Sequence, residues 1–273
     1  MNLKKKIMNK LVKISEKLVP LVHTIKIPNY DKIIRFRPFV VKEYLAILQA
    51  HEMSSNEGLI ITIKNIISDC LLDTDIDIDK LPMYIIDFIF LQLRNKSVGE
   101  IINLRYKCIK EISKKAQTFP DGTSVKERIE PCNTTFDVEV DLNKAQIYYP
   151  DKYNEKCIIK VNEDIGIKLQ NPSFEKFHTV SIEGKDIFDI TDEYIFACID
   201  CIYYKDEVLL PGKDFSLSEY RDFINIHFPV EKLKDMIDFF KNQPRIMLEL
   251  YLQCPHCKNE SKEILSGLND FFV

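Results

Sequence analysis

Two Cys-x-x-Cys pairs constrain this chain more than any other feature. Cys198-Ile199-Asp200-Cys201 and Cys254-Pro255-His256-Cys257 stand with residues 202–253 between them. Four thiolates suit a tetrahedral zinc ion, and cysteines paired at this spacing are a common way to present them. Cys254 to Cys257 has the Cys-Pro-x-Cys form of a zinc knuckle, with Lys258 where a glycine often follows. Thr191 to Tyr204 reads as a helix, and the i, i+3 spacing puts Cys198 and Cys201 on one face of it. The expectation is a structural zinc site made of Cys198, Cys201, Cys254 and Cys257, with His256 as a reserve ligand. Compact zinc ribbons separate their pairs by about 15–20 residues, so the intervening helices would have to fold the two pairs together. The alternative is that Cys198 and Cys201 are small buried apolar residues and that the hairpin turn carries unligated thiols. A thioredoxin-like redox pair fits less well, because no strand-helix alternation of a parallel sheet surrounds Cys254.

The 273 residues allow one large domain or two of ordinary size. Apolar residues make up 45% and charged residues 29%, enough for a core within a soluble globular protein. A net charge of -4 argues against a nucleic-acid binder that relies on phosphate neutralisation. Seven glycines leave little material for Gly-rich phosphate loops. No apolar run reaches about 18 residues, so no membrane span is expected. The lysine-rich opening from Met1 to Thr24 lacks the apolar core and cleavage site of a signal peptide. The eight cysteines are therefore read as core or metal residues in a reducing compartment.

The pattern along the chain predicts an α+β fold in four parts. These are an amphipathic N-terminal helix (1–27), a strand plus helical region (28–118), a β-rich region of short strands (119–190), and a C-terminal helical region with the Cys-x-x-Cys β-hairpin (191–273). Leu3, Ile7, Leu11, Ile14 and Leu18 form one apolar stripe ending before Pro20. The stripe is narrow and has no aromatic anchor, which favours a protein contact, to a partner or by self-association, over a membrane surface. Lys32 to Val41 alternates as a strand up to Pro38, with Arg35 and Arg37 on one face and Ile34 and Phe36 on the other. Helices are expected over Val41 to Met53, over Gly58 to Leu72, and from Leu81 through Leu93. The acidic run Asp73 to Asp79 lacks the glycine and glutamate of a calcium loop and reads as a solvated connection.

Cys108, Cys132 and Cys157 show no ligand spacing and are read as core cysteines. Ser216-Leu217-Ser218-Glu219 matches a capping box opening a helix to about Ile226. A second helix runs from Val230 to Asn242. Ile246, Leu248, Leu250 and Leu252 then alternate as a strand into the Cys254 turn. Phe271 and Phe272 are expected to be anchored against the Val230 to Asn242 helix or a partner surface.

Several segments, in order from about residue 30 onward, resemble the T-even-type bacteriophage baseplate hub assembly family. They are Ile34-Arg35-Phe36-Arg37-Pro38-Phe39 with Val41-Lys42-Glu43, and Asp79-Lys80-Leu81-Pro82-Met83 leading to Leu93-Arg94-x-Lys96-Ser97-Val98-Gly99-Glu100. Further on come Asp164-Ile165-Gly166-Ile167, Ala197-Cys198-Ile199-Asp200 with Ile202-Tyr203, and Phe239-Phe240 with Pro244. The last are Cys254-Pro255-x-Cys257 and Gly267-Leu268-x-x-Phe271-Phe272. The resemblance implies a non-enzymatic phage tail protein that helps assemble the central hub of a contractile-tail baseplate. Its implied partners are hub or tail proteins, and its place is the host cytoplasm during assembly or the virion tail baseplate. A permanent structural component of the hub or tail is the alternative, and a zinc-dependent or thiol enzyme the second. No serine, cysteine or carboxylate sits in a recognised catalytic motif, and an ion held by four cysteines has no open position for water.

Overall fold

The computed structural model describes residues 14, 17–18, 21–28, 32–52, 56–73, 75–114, 116–118, 124–177, 180, 185 and 187–271. Helices and strands both contribute heavily, so the fold is α+β. Of the expected N-terminal helix, Ile14 alone is helical among the described residues, and the rest of that expectation lies mainly outside them.

The first elements are an antiparallel pair, β1 (His23–Lys26) and β2 (Ile33–Phe36). Alternation along β2 buries Ile34 and Phe36 and exposes Ile33 and Arg35. Three helices follow: α1 (Val41–Glu52), α2 (Asn56–Cys70) and α3 (Met83–Val98). The acidic connection before α3 is tied to neighbouring cations, Asp73 to Arg35, Asp75 to Lys32 and Asp79 to Lys64. Helix α3 is the axis of the fold. Tyr84, Ile85, Ile86, Ile89, Phe90, Leu91 and Leu93 are all buried, and a helix apolar on most sides has to be covered by other elements. Pro82 is its N-cap, and Gly99 ends it at a φ of 103°, where a residue with a side chain would be strained.

From residue 101 the chain runs out and back as one long antiparallel ribbon. The outgoing strands are β3 (Ile101–Lys107), β4 (Glu111–Lys114) and β5 (Gln117–Thr118). The returning strands are β6 (Ser124–Val125), β7 (Arg128–Pro131) and β8 (Thr135–Asp141). β3 pairs with β8, β4 with β7, and β5 with β6. The boundary expected at 118/119 therefore falls at the tip of a ribbon whose strands pair across it.

The remaining elements are β9 (Gln146–Tyr148), β10 (Lys156–Lys160), β11 (Ile165–Gln170), the one-turn α4 (Phe174–Phe177) and α5 (Ile187–Cys198). Then come β12 (Ile199–Tyr204), β13 (Glu207–Leu209), α6 (Leu217–His227), α7 (Val230–Lys241), β14 (Arg245–Gln253), β15 (Glu260–Ser266) and α8 (Leu268–Phe271). The capping box at Ser216 is formed, with its hydroxyl on the Glu219 N–H and the Glu219 carboxylate on the Ser216 N–H.

Three apolar cores hold these elements. One joins β1, β2 and α1 to α3 with Phe174 of α4. A second lies between the antiparallel sheet β10-β11-β12-β13 and helices α5 to α7, around Ile167, Leu169, Ile195, Cys198, Met236 and Phe239. The third packs Leu91 of α3 against the root of the ribbon, the sheet β15-β14-β9 and Phe271. Phe88 of α3 touches both the first and the third.

Two expectations are corrected here. Thr191 to Tyr204 is not one helix: α5 ends at Cys198 and Ile199–Tyr204 is a strand. Ile199, Ile202, Tyr203 and Tyr204 are β-branched or aromatic and pair with β11, which outweighs the helical spacing. Phe271 is buried in the third core with Leu91, rather than in the core that includes α7.

Candidate metal centre

The ribbon is interrupted where β3 gives way to β4 and β7 to β8, and a cysteine stands on each side of the interruption. The pairing Lys107↔Thr135 on one side and Glu111↔Pro131 on the other keeps the two strands in step across it. Backbone bonds hold the gap closed: Cys108 N–H to Thr134 O at 2.9 Å, Cys132 N–H to Lys110 O at 2.8 Å, and Asn133 N–H to Cys108 O at 2.9 Å. Asn133, directly after Cys132, takes a φ of 55°, a left-handed conformation that asparagine tolerates better than most residues.

The second half of the centre is the turn joining β14 to β15. Cys254 N–H donates to Asn259 O at 2.9 Å, and Lys258 N–H to Cys254 O at 3.0 Å. Lys258, where a glycine often follows such a pair, adopts a φ of 59°.

These two turns bring four sulfurs together. Cys108, Cys132, Cys254 and Cys257 have every Sγ within 4.8 Å of every other. The Cys108 and Cys257 sulfurs are 3.6 Å apart, and those of Cys132 and Cys254 are 3.9 Å apart. Cys108 and Cys254 are buried and the other two half-buried, and all four are free thiols. The set is compatible with a structural metal.

The surroundings favour charge on some of these sulfurs. The Thr134 hydroxyl, 3.2 Å from the Cys132 sulfur, the Thr134 N–H and the His256 ring, with Nδ1 3.5 Å away, lower that thiol to about 6. At Cys108 the Lys110 N–H pulls downward, but burial and the neighbouring thiols prevail and raise it to about 12. Burial raises Cys254, yet the Cys257 and His256 N–H groups and the adjacent thiols leave it below its ordinary value. Four sulfurs this close share their protons unequally, because ionising one disfavours ionising the next.

The cluster contains two of the four expected ligands. Cys254 and Cys257 belong to the cluster, but Cys198 and Cys201 do not. Cys198 ends α5 inside the second core, where burial pushes its thiol up to about 12. Cys201 sits on β12 opposite Lys168 of β11. The Cys198 and Cys201 side chains share no helix face, since the chain changes from helix to strand between them. Cys108 and Cys132, read as core cysteines, complete the cluster. Their signal is a cross-strand register within the ribbon, which no fixed spacing of ligand motifs expresses. His256 is exposed and contacts the Cys132 sulfur from outside the set.

A second constellation joins two of the segments that carried the resemblance. Arg37 Nη2 donates to Glu43 Oε1 at 2.9 Å, and the Val40 N–H donates to Glu43 Oε2 at 2.9 Å. Glu43 is only 4% exposed. Phe39 N–H donates to the Ser97 hydroxyl at 2.9 Å, which itself donates to Leu93 O at 2.6 Å. Arg94 closes the end of α3 onto the Gly99 carbonyl. The entry to α1 is thereby locked to the last turn of α3.

The chain is an α+β framework built on a buried apolar helix, with a four-thiol centre where a long ribbon meets a hairpin turn. The chain belongs to the family of T4 bacteriophage base plate proteins, whose pattern it matches over residues 19–273. It is 25% identical over 245 residues to the baseplate hub assembly protein gp26 of Enterobacteria phage T4, covering 89% of this chain and 93% of that one. No solved structure matches the chain.

Proposed function

We propose that this protein is an assembly factor for the central hub of a phage baseplate, acting by binding and without catalysis. The observation that carries this reading is the 245-residue similarity to a baseplate hub assembly protein, which spans nearly the whole of both chains. The fold supports it in kind. Among the described residues no third strand pairs with either strand of the ribbon, and Ile109 and Ile129 on it are 82% and 72% exposed. Its partners in this reading are hub or tail proteins, met in the host cytoplasm during assembly, and the net charge of -4 fits protein partners better than nucleic acid. The four-thiol centre serves as a structural joint.

The family description, base plate protein, favours a second reading in which the chain stays in the finished tail as a structural component. Quantitative mass spectrometry of purified phage particles separates the two. A transient factor is present in infected cells, co-purifies with hub intermediates, and is absent or far below stoichiometric amounts in mature particles. Stoichiometric protein in mature particles overturns the assembly-factor reading in favour of the second. Failure to co-purify with any hub or tail protein from infected cells overturns both.

A further inference from the structure

We propose that Cys108, Cys132, Cys254 and Cys257 bind one zinc ion through all four sulfurs, in a closed structural site that pins the ribbon to the β14–β15 turn. The geometry is the first ground. Zinc–sulfur bonds of about 2.3 Å at tetrahedral angles set the sulfurs about 3.8 Å apart. The Cys108–Cys257 and Cys132–Cys254 separations, 3.6 and 3.9 Å, fall on either side of that value. A disulfide requires about 2.05 Å, and the four cysteines are unpaired.

The backbone around the sulfurs is a second, independent ground. Lys110 N–H faces the Cys108 sulfur, Thr134 N–H faces that of Cys132, and the His256 and Cys257 N–H groups face that of Cys254. Each half of the centre thus directs amides from two or three residues beyond a cysteine back onto its sulfur, and each half contains a left-handed residue, Asn133 or Lys258. A core thiol has no need of such donors. A thiolate bound to a metal does, because amide dipoles spread its remaining charge. An all-sulfur tetrahedral set selects zinc or iron among the available ions. Binding releases the thiol protons to solvent, and four thiolates with a divalent ion leave a net charge of −2 at the centre.

The ion would join positions 149 and 122 residues apart in the sequence. It would hold the outer ribbon, β4 to β7, at a fixed angle to the hairpin that carries Phe271 into the third core. With four protein ligands it has no open position for water or substrate, so its role is to fix geometry.

Elemental analysis of the full chain, purified under reducing conditions from cells supplied with zinc, tests the site. The expected result is one zinc per chain, retained by the Cys198→Ser/Cys201→Ser double variant and lost by Cys132→Ser and by Cys257→Ser. Both of the latter positions are half-buried, so these variants are the ones best able to fold. Titration of metal-stripped wild-type protein with cobalt(II) keeps the test decisive if they do not. It should give a tetrahedral thiolate–cobalt spectrum that saturates at one equivalent and disappears on adding zinc. Chelation should raise hydrogen exchange first at residues 105–135 and 250–262. Folded, reduced protein with neither zinc nor a cobalt spectrum overturns the proposal. So does iron in place of zinc, or full zinc retention in folded Cys132→Ser and Cys257→Ser.

Discussion

Replacing Phe271 with alanine tests whether the last described turn of the chain is part of the core. Phe271 is 1% exposed and shares an apolar cluster with Leu91 of α3, Ile102 and Leu104 of β3, Val140 of β8, and Ile246 and Leu248 of β14. Transfer of a side chain of this size out of water is worth about 1.5–3 kcal/mol. Loss of phenylalanine to alanine in a packed core costs about 3–5 kcal/mol, because the cavity left behind adds to the transfer term. The backbone around Phe271 resists collapse into that cavity. The Ser266 N–H is held on the Asp270 carboxylate at 2.8 Å, and the Gly267 N–H on Ile246 O at 3.3 Å. A single helical turn can nonetheless tilt, so the expected loss is at the low end, about 3 kcal/mol. Equilibrium urea unfolding of the isolated protein gives the number as a shift in midpoint at unchanged slope. Tyr251→Ala is the control, because Tyr251 is 77% exposed on β14 and should change stability by no more than about 0.5 kcal/mol. A loss below about 1 kcal/mol for Phe271→Ala would show that the cluster does not depend on α8. No partner is present in the measurement, so an anchor that existed only on a partner surface would give that small value.

Other substitutions probe other joints. Glu43→Ala removes the acceptor of the Val40 N–H and the carboxylate partner of Arg37, which keeps only its bond to the Pro38 carbonyl, and should cost about 3 kcal/mol, the low end for a broken buried pair because the Arg37 side chain keeps 22% of its exposure. Burial alone would raise the Glu43 carboxyl, but the Arg37 and Val40 hydrogen bonds outweigh it and hold it below the usual range. Its contribution is therefore complete above the unfolded value of about 4.3 and is lost as pH falls through the lower folded value. Unfolding free energies of wild type and variant should converge in acid, and a gap constant with pH would refute the assignment. Gly166→Ala would place a methyl group against the Tyr203 ring, its cross-strand neighbour. The expected cost is about 1–3 kcal/mol, partly recovered on adding Tyr203→Ala, and a neutral Gly166→Ala in thermal unfolding would contradict that packing. Cys198→Ser should lose about 1–3 kcal/mol by burying a hydroxyl in the second core, and urea unfolding showing no loss would refute that burial.

Local signals in the sequence were reliable where the structure is local. The periodicity of Val41 to Met53 gave a helix that ends within a residue of the observed Glu52. Ser216 and Glu219 marked the start of α6, because a capping box is satisfied within four residues of chain. The signals weakened where a choice depended on a distant partner. Ile199 to Tyr204 carries helical spacing, but β11 and β13 flank it and draw it into a sheet. Half of the candidate site was visible because Cys254 and Cys257 lie in one turn. Cys108 and Cys132 meet only after some twenty residues of ribbon have paired in register. The destination of Phe271 was hidden for a related reason, since its neighbours come from α3, β3, β8 and β14, whose mutual packing no window of sequence contains.

Several of the segments that resemble the hub assembly family fall at joints of this fold. Arg37, Phe39 and Glu43 meet Ser97 where α1 docks on the end of α3. Gly166 lies under Tyr203 where β11 pairs with β12. Cys254 and Cys257 sit where the hairpin turn meets the ribbon, and Phe271 where the following turn enters the third core. Each joint ties elements distant in sequence, and each relies on side-chain chemistry that few replacements reproduce: a buried carboxylate on an arginine, an absent Cβ, a set of thiols, a large buried ring. Substitution at such positions shifts one rigid element against another while leaving most of the surface composition unchanged. A protein that works by presenting surfaces to partners depends on that relative placement, since a small rotation at the root of a two-stranded ribbon is magnified along its length. If the chain acts in the proposed hub-assembly role, the same substitutions should weaken capture of its baseplate partners before they unfold the chain, and a variant at a joint that unfolds with no prior loss of that capture would argue against this dependence.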